Sequence, residues 1–162
     1  MKHLLSAALV VACVGSARAQ DAASLDRPGD EQLMKLSATG VQVYECRAVA
    51  GGAPAWAFRE PRADLFLDGQ AVGTHFAGPS WQHRDGSRII GKVAASRPAS
   101  RPEDIPWLRL AVTSTGEGAL AGVQVVQRIN TRGGALAGSC PQTGAVSEVP
   151  YTADYVMLRG TP

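Results

Sequence analysis

Two histidines and one aspartate, His75, His83 and Asp85, are the side chains of this sequence best suited to chemistry. Imidazole nitrogens bind copper and zinc well, and a carboxylate oxygen could add a further ligand. The two histidines stand eight residues apart across a Gly-Pro break, a spacing that matches no established metal signature. A copper or zinc site therefore requires the fold to bring both imidazoles together. In the structural alternative, His75 bonds to backbone and His83 lies at a hairpin tip.

A hydrolase would use Ser80 or Ser87 as its nucleophile and His75 or His83 as its base. The sequence has no Gly-x-Ser-x-Gly elbow, no phosphate-binding loop, no dinucleotide fingerprint and no His-Glu-x-x-His motif. Ser87 follows Asp-Gly, where a turn by itself favours a small polar residue. These observations argue against an enzyme of a known motif class.

Aromatic side chains offer a second kind of site, because exposed rings can form a platform for sugars. The candidates are the three tryptophans, Trp56, Trp81 and Trp107. Each lies in an apolar run, which favours packing in the core over display on the surface. A third possibility is a buried polar network of Arg128, Arg132 and Asp154, although the glycines after Arg132 are more typical of a turn.

Most of these candidates fall in one stretch, residues 73–91, with the sequence GTHFAGPSWQHRDGSRIIG. Asp85-Gly86 predicts a two-residue type I′ hairpin turn. That pairing would place Trp81, His83, Arg88 and Ile90 on one face. We expect the stretch to form a polar functional surface, to which we assign Gly78, Pro79, Ser80, Trp81 and Arg88.

The elements that position this stretch are predicted to be strands. From Val41 onward, Gly and Pro recur every eight to twelve residues between short β-branched and aromatic runs. This pattern predicts an all-β, single-domain antiparallel β-sandwich or squat barrel of about nine short strands, over residues 41–160. Residues 20–40 are expected to be a loosely held lead-in, with one or two helical turns from Asp30 to Leu36.

A second hairpin turn is predicted at Asp68-Gly69. Because side chains alternate along a strand, this turn would pair Leu67 with Gln70 and Leu65 with Val72. The same alternation would turn Leu65, Leu67, Val72 and Phe76 toward the core. It would turn His75 toward the opposite face.

Residues 1–19 have the features of a signal peptide: a positive charge at Lys2, a short apolar core and the cleavage motif Ala17-Arg18-Ala19. The mature chain would be periplasmic or secreted and begin at Gln20. The alternative is a lipoprotein anchored at Cys13. Removing two basic residues with the signal leaves 14 basic and 14 acidic residues. A neutral chain without a basic run does not favour nucleic acid as a partner, and no later segment is apolar enough to cross a membrane.

Two cysteines remain after cleavage, Cys46 and Cys140. An even pair in an exported protein predicts a disulfide. The alternative is two buried free thiols. No Cys-x-x-Cys pair is present to suggest a metal site built on them.

The order of several short motifs resembles a family of exported bacterial and fungal proteins known only as domain of unknown function 3455. The matching segments include GVQVYEC ending at Cys46, GTH around His75, GPSW ending at Trp81, IPWL after Asp104, and VPYTADY ending at Tyr155. The resemblance spans nearly the whole mature chain and implies one exported domain. It assigns no catalytic residue, because the family has no established activity.

We interpret the chain as a non-enzymatic binding or interaction module of the periplasm or cell exterior. Its partner would be a small molecule, a glycan or an envelope component. The alternative is a metal-dependent redox or hydrolytic site, with copper or zinc held around His75 and His83. The absence of a catalytic motif favours the first interpretation.

Overall fold

A computed structural model describes residues 25–113 and 117–160 of the chain. Within them, eight antiparallel strands follow one another around a closed barrel, and the last strand pairs with the first. The strands are β1 (Glu31–Arg47), β2 (Ala55–Leu67), β3 (Gln70–Phe76), β4 (Ser80–His83), β5 (Arg88–Arg97), β6 (Trp107–Val112), β7 (Val125–Gly133) and β8 (Val146–Arg159). None of the described residues belongs to a helix with the length and apolar character needed to span a membrane.

The prediction of an all-β, antiparallel, single domain is confirmed. Of the two predicted forms, a sandwich and a squat barrel, the sheet adopts the barrel. The structure describes eight strands where the sequence suggests about nine. The helical turn expected between Asp30 and Leu36 is wrong, because β1 already begins at Glu31. Leu36 and Ala38 alternate into the core, and this segment finds its hydrogen-bond partners along β8.

The barrel interior is filled unevenly along its axis. Large apolar side chains pack one half solidly, among them Leu36, Leu65, Ile89, Leu120 and Met157. A single 3₁₀ turn, Gly118–Leu120, inserts Leu120 into this packing. The other half keeps an open space, which is the cavity described below.

A β-bulge in β3 decides which way His75 points. The turn at Asp68 and Gly69 forms with positive φ at both residues and pairs Leu67 with Gln70, as predicted. The register then shifts, so that Leu65 lies opposite Gly73 and not opposite Val72. The extra residue reverses the alternation beyond it, and His75 turns into the barrel. The prediction that His75 faces outward is therefore wrong.

The second hairpin also differs from its prediction by one residue. Trp81 pairs with Ile89 and Gln82 pairs with Arg88, so the type I′ turn at Asp85 and Gly86 does not form. The Asp85 carboxylate instead accepts hydrogen bonds from the backbone and hydroxyl of Ser87, at 2.9 and 2.6 Å. This side-chain turn widens the loop. It leaves Trp81 and Ile89 inside the barrel and Arg88 on the outer face.

The segment before β1 is bound to the outer wall of the barrel. Arg109 lies between two inward residues of β6, so its side chain is on the outer face, where it is fully buried. Its guanidinium donates to both carboxylate oxygens of Asp30, at 2.6 and 2.9 Å, and to the carbonyl of Leu25 at 3.0 Å. Gln127 on β7 donates to the same carbonyl. These contacts hold the start of the described chain against β6 and β7.

The predicted disulfide between Cys46 and Cys140 is confirmed, with Cα atoms 5.8 Å apart. It joins the end of β1 to the connection between β7 and β8. Backbone bonds support the junction, since Cys140 N–H donates to Pro54 at 2.9 Å and Gly144 N–H donates to Cys46 at 2.8 Å. The long β7–β8 connection is thereby fixed against the β1–β2 connection.

Candidate functional site

A cavity of about 510 Å³ occupies the less filled half of the barrel. It lies toward the end where Gly78 and Pro79 connect β3 to β4 and where Ile105 and Pro106 precede β6. Its walls are mainly apolar and aromatic, with Tyr44, Phe58, Pro61, Val93, Leu108 and Leu110 among the lining side chains. Phe58 and Val93 are about half exposed and mark the entrance.

Three buried rings form one part of the cavity wall. His75 stacks on Trp81 with centroids 4.7 Å apart and an interplanar angle of 14°. Tyr155 meets the His75 ring at 4.8 Å in a tilted arrangement and the Trp81 ring at 5.5 Å edge to face. The register explains the cluster, because His75 lies directly opposite Trp81 across β3 and β4. Mutual packing of this kind fixes the rings before any ligand arrives.

His75 is a neutral imidazole in this environment. Its pKa is lowered to about 3, mainly by burial; the hydrogen bond to Ser80 opposes this lowering and the positive charge of Arg128 adds to it. Its Nδ1 lies 2.9 Å from the carbonyl oxygen of Ser80. A carbonyl only accepts hydrogen bonds, so Nδ1 carries the proton and Nε2 keeps its lone pair. The ring is therefore held in one tautomer by the turn that leads into β4.

Arg128 brings a positive charge to the cavity. Its Nε and Nη2 donate to the carbonyl of Pro106, at 3.0 and 2.8 Å. No described carboxylate lies within 4 Å of its guanidinium, in contrast to Arg59 at the rim, which pairs with Glu60 at 3.1 Å. Burial raises the pKa of Tyr155, and the charge of Arg128 opposes that rise. Arg128 is thus the unbalanced charge of the described lining.

Two buried donors of the lining have no hydrogen-bond partner within the described protein. They are Nε1 of Trp81 and Nε2 of Gln42, whose residues are 1% and 2% exposed. A buried donor without an acceptor costs about 1–3 kcal/mol. Both atoms are covered by surrounding protein atoms, so a bound molecule would gain these hydrogen bonds only when the cavity wall shifts to admit an acceptor.

Asp104 holds the β5–β6 connection at the cavity rim. Its buried carboxylate accepts two bonds from Arg101, both at 3.0 Å, and one from the Gly133 N–H at 2.6 Å. The Arg101 guanidinium keeps the pKa of Asp104 below its usual value. The carbonyl of the next residue, Ile105, accepts a bond from Thr131 at 2.7 Å. These contacts position Ile105 and Pro106 against Arg128.

The structure separates the three side chains considered for a metal site. His75 lines the cavity, whereas His83 does not. His83 Nδ1 lies 3.0 Å from Asp85, whose carboxylate also accepts the Ala119 N–H at 2.7 Å. Hydrogen bonds from Ser87 hold the pKa of Asp85 well below its usual range. Among residues 25–113 and 117–160, no three His, Cys, Asp or Glu side chains are grouped so that they could hold a metal ion.

The stretch predicted to be a polar surface is only partly one. Gly78 and Pro79 lie at the cavity rim. Ser80 is buried, and its hydroxyl accepts a bond from Arg88 at 3.0 Å. The Arg88 guanidinium also covers the ring of Phe76, at 4.8 Å from its centroid. Arg88 thus shields the outer wall behind the buried rings.

Sequence reasoning undervalued Arg128 and missed Gln42. The suggested network of Arg128, Arg132 and Asp154 does not form, because Asp154 pairs with Lys35 at 2.8 Å. The sequence of β7 did contain a useful signal. Arg128 stands two residues after the buried Val126, so both side chains point into the barrel. A charged residue at an inward position of an otherwise apolar strand is a reason to look for a cavity.

The sequence profile of a protein family described as "Protein of unknown function (DUF3455)" matches residues 27–159. No curated protein and no solved structure matches the chain.

Proposed function

The chain belongs to the DUF3455 family of proteins of unknown function, and we propose that it is a non-enzymatic module that binds a small, mainly apolar molecule in its barrel. The observation that carries this proposal is the cavity of about 510 Å³ with its apolar and aromatic walls. Sites for small molecules typically measure roughly 300–1,000 Å³ and combine such walls with a few polar groups.

The composition of the lining supports binding rather than nucleophilic chemistry. The described lining residues include no Ser, Thr, Cys, Asp, Glu or Lys side chain. The Nδ1 proton of His75 is committed to Ser80, and the neutral ring serves mainly as a flat surface against Trp81. Paired strands form most of the wall, so the site is formed before binding and little ordering is required.

We also propose that the module works in the periplasm or outside the cell, after cleavage following Ala19. The disulfide between Cys46 and Cys140 supports an oxidising compartment. The expected signal and the alternative lipid anchor at Cys13 lie outside the described residues. Intact mass of the exported protein tests both: a chain beginning at Gln20 supports soluble export, and an acylated chain beginning at Cys13 refutes it.

Titration with N-phenyl-1-naphthylamine, a neutral probe that fluoresces in apolar surroundings, tests the binding function. We expect saturable binding to the wild type. Leu108→Trp, which fills the cavity from β6, should weaken it at least about tenfold, or by about 1.4 kcal/mol.

Lys92→Trp is the matched control, because Lys92 is exposed on β5 and adds the same ring outside the cavity. It should bind the probe as the wild type does. Circular dichroism and thermal unfolding establish that both variants fold. The proposed function is contradicted if Leu108→Trp binds the probe with the affinity of the wild type, or if the wild type does not bind the probe.

A further inference from the structure

We infer that the molecule bound in this cavity is an organic anion, a carboxylic acid on an apolar body, and that Arg128 holds its carboxylate. This inference rests on the proposed function and names the class of ligand. It comes from three properties of the lining: an unbalanced positive charge, a surplus of hydrogen-bond donors, and apolar walls around both.

The first property is the charge of Arg128. Its side chain is half-buried, and no described carboxylate is close enough to pair with it. Two of its three nitrogens donate to Pro106, which fixes the guanidinium plane against the cavity wall. A fixed guanidinium beside an apolar wall attracts an anion more strongly than it would in water, because the surroundings screen the charge less.

The second property is the direction of the unpaired hydrogen bonds. Trp81 Nε1 and Gln42 Nε2, the two unpartnered atoms of the lining, are both donors. A ligand that satisfies them must supply acceptors. A carboxylate supplies two oxygens with about four lone-pair sites and no donor. A donor-rich ligand would leave these groups unsatisfied, and a cationic ligand would also be repelled by Arg128.

The third property is the rest of the lining, which would bury an apolar body. Side chains such as Phe58, Val93, Leu108 and Leu110 surround the space. The other cation at the rim, Arg59, already pairs with Glu60. The described lining contains no carboxylate that would repel an anion. A small acid with an alkyl chain or an aromatic ring fits these conditions, and a fully polar anion such as phosphate does not.

A pair of matched probes tests this inference. N-phenyl-1-naphthylamine and 1-anilinonaphthalene-8-sulfonate share one aromatic skeleton and differ in a sulfonate, which stands in for the carboxylate. The ratio of their affinities is measured for the wild type and for Arg128→Gln. We expect this ratio to shift toward the neutral probe by at least about tenfold in the variant, while the affinity for the neutral probe changes little.

Arg128→Lys keeps the charge and should retain most of the preference for the anionic probe. Arg84→Gln is the control, because Arg84 is an exposed arginine that does not line the cavity. An unchanged ratio in Arg128→Gln refutes the inference. Loss of the preference in Arg84→Gln to the same degree also refutes it.

Competition in the wild type gives an independent readout that does not depend on how the variants fold. Decanoate should displace the neutral probe more strongly than 1-decanol, although the alcohol is the more apolar of the two. Displacement by 2-naphthoate in addition would show that aromatic acids are accepted. Stronger displacement by decanol overturns the assignment of an acid. Failure of the neutral probe itself to bind would instead refute the proposed function.

Discussion

At the scale of single residues, His75 shows how position within a strand determines chemistry. One extra residue in β3 turns its ring into the barrel, and burial then keeps the ring neutral. A neutral, stacked imidazole with one nitrogen committed to Ser80 is a good wall for an apolar ligand. An exposed imidazole, which the simple alternation predicts, would titrate and suit a metal better.

The neutral state of His75 predicts how stability depends on pH. Its pKa is near 6.5 in the unfolded chain and about 3 in the folded protein, so only the unfolded state takes up the proton between these values. The free energy of unfolding should therefore fall as the pH drops below about 6.5, by up to ~1.4 kcal/mol per pH unit from this group. Urea unfolding from pH 5 to 8.5 measures the slope.

His75→Phe removes the titrating group and keeps a ring stacked on Trp81. The unfolding free energy of the wild type minus that of the variant should be constant above about pH 7.5. It should decrease on acidification, because only the wild type loses stability through His75. Subtracting the two curves cancels the slope from the carboxylates that both proteins share. Parallel curves down to pH 5 would show that His75 does not remain neutral in the folded protein.

At the scale of elements, the contact between the segment before β1 and the barrel wall includes a buried ion pair between Arg109 and Asp30. Arg109 has no exposed side-chain surface, and its charge is balanced by Asp30. The hydrogen bonds from Arg109 lower the pKa of Asp30. The stabilisation from this carboxylate is therefore complete above its ordinary value, about 3.8, and is lost as the pH falls through its lowered value.

Asp30→Asn should lower the free energy of unfolding at pH 7 by about 3 kcal/mol or more, because it removes the carboxylate that accepts two hydrogen bonds from the fully buried Arg109 guanidinium. The neighbouring Glu31→Gln is the matched control. Glu31 pairs with Arg159 at 2.8 Å, but both side chains are more than half exposed. An exposed pair of this kind contributes about 0–1 kcal/mol. Equal losses in the two variants, measured by denaturant unfolding, would contradict the burial argument.

At the scale of the whole molecule, closing the sheet removes both edge strands and leaves the protein with two barrel ends. One end is packed with apolar side chains, and the other keeps the cavity. The disulfide lies among the connections of the cavity end and links segments 94 residues apart in sequence. It therefore limits how far the unfolded chain can expand.

Replacing both cysteines, in Cys46→Ala with Cys140→Ala, should lower the free energy of unfolding by about 2–5 kcal/mol. Reducing agent should destabilise the wild type by a similar amount. The same reagent should leave the double variant unchanged, which is the control for effects of the reductant itself. A double variant as stable as the oxidised wild type would show that the bridge limits the unfolded chain very little.

The sequence by itself determined the class of the fold, the turn at Asp68 and Gly69, and the pairing of Cys46 with Cys140. Each of these depends on local chemistry. Short apolar runs between glycines and prolines favour strands, an Asp-Gly pair accepts positive φ, and the only two cysteines that follow the predicted signal can pair only with each other within one chain. The same Asp-Gly signal was not sufficient at Asp85 and Gly86, where the Asp85 carboxylate bonds to Ser87 and widens the loop.

Only the tertiary structure decided which way His75 faces and what surrounds Arg128. Side-chain direction along a strand has a period of two, so a single bulge inverts it, and the shift in β3 arises from pairing with β2. The cavity likewise exists only after the sheet closes and brings Gln42, Trp81 and Arg128 from three strands to one space. No local pattern records the free volume between them, because it depends on how all eight strands pack.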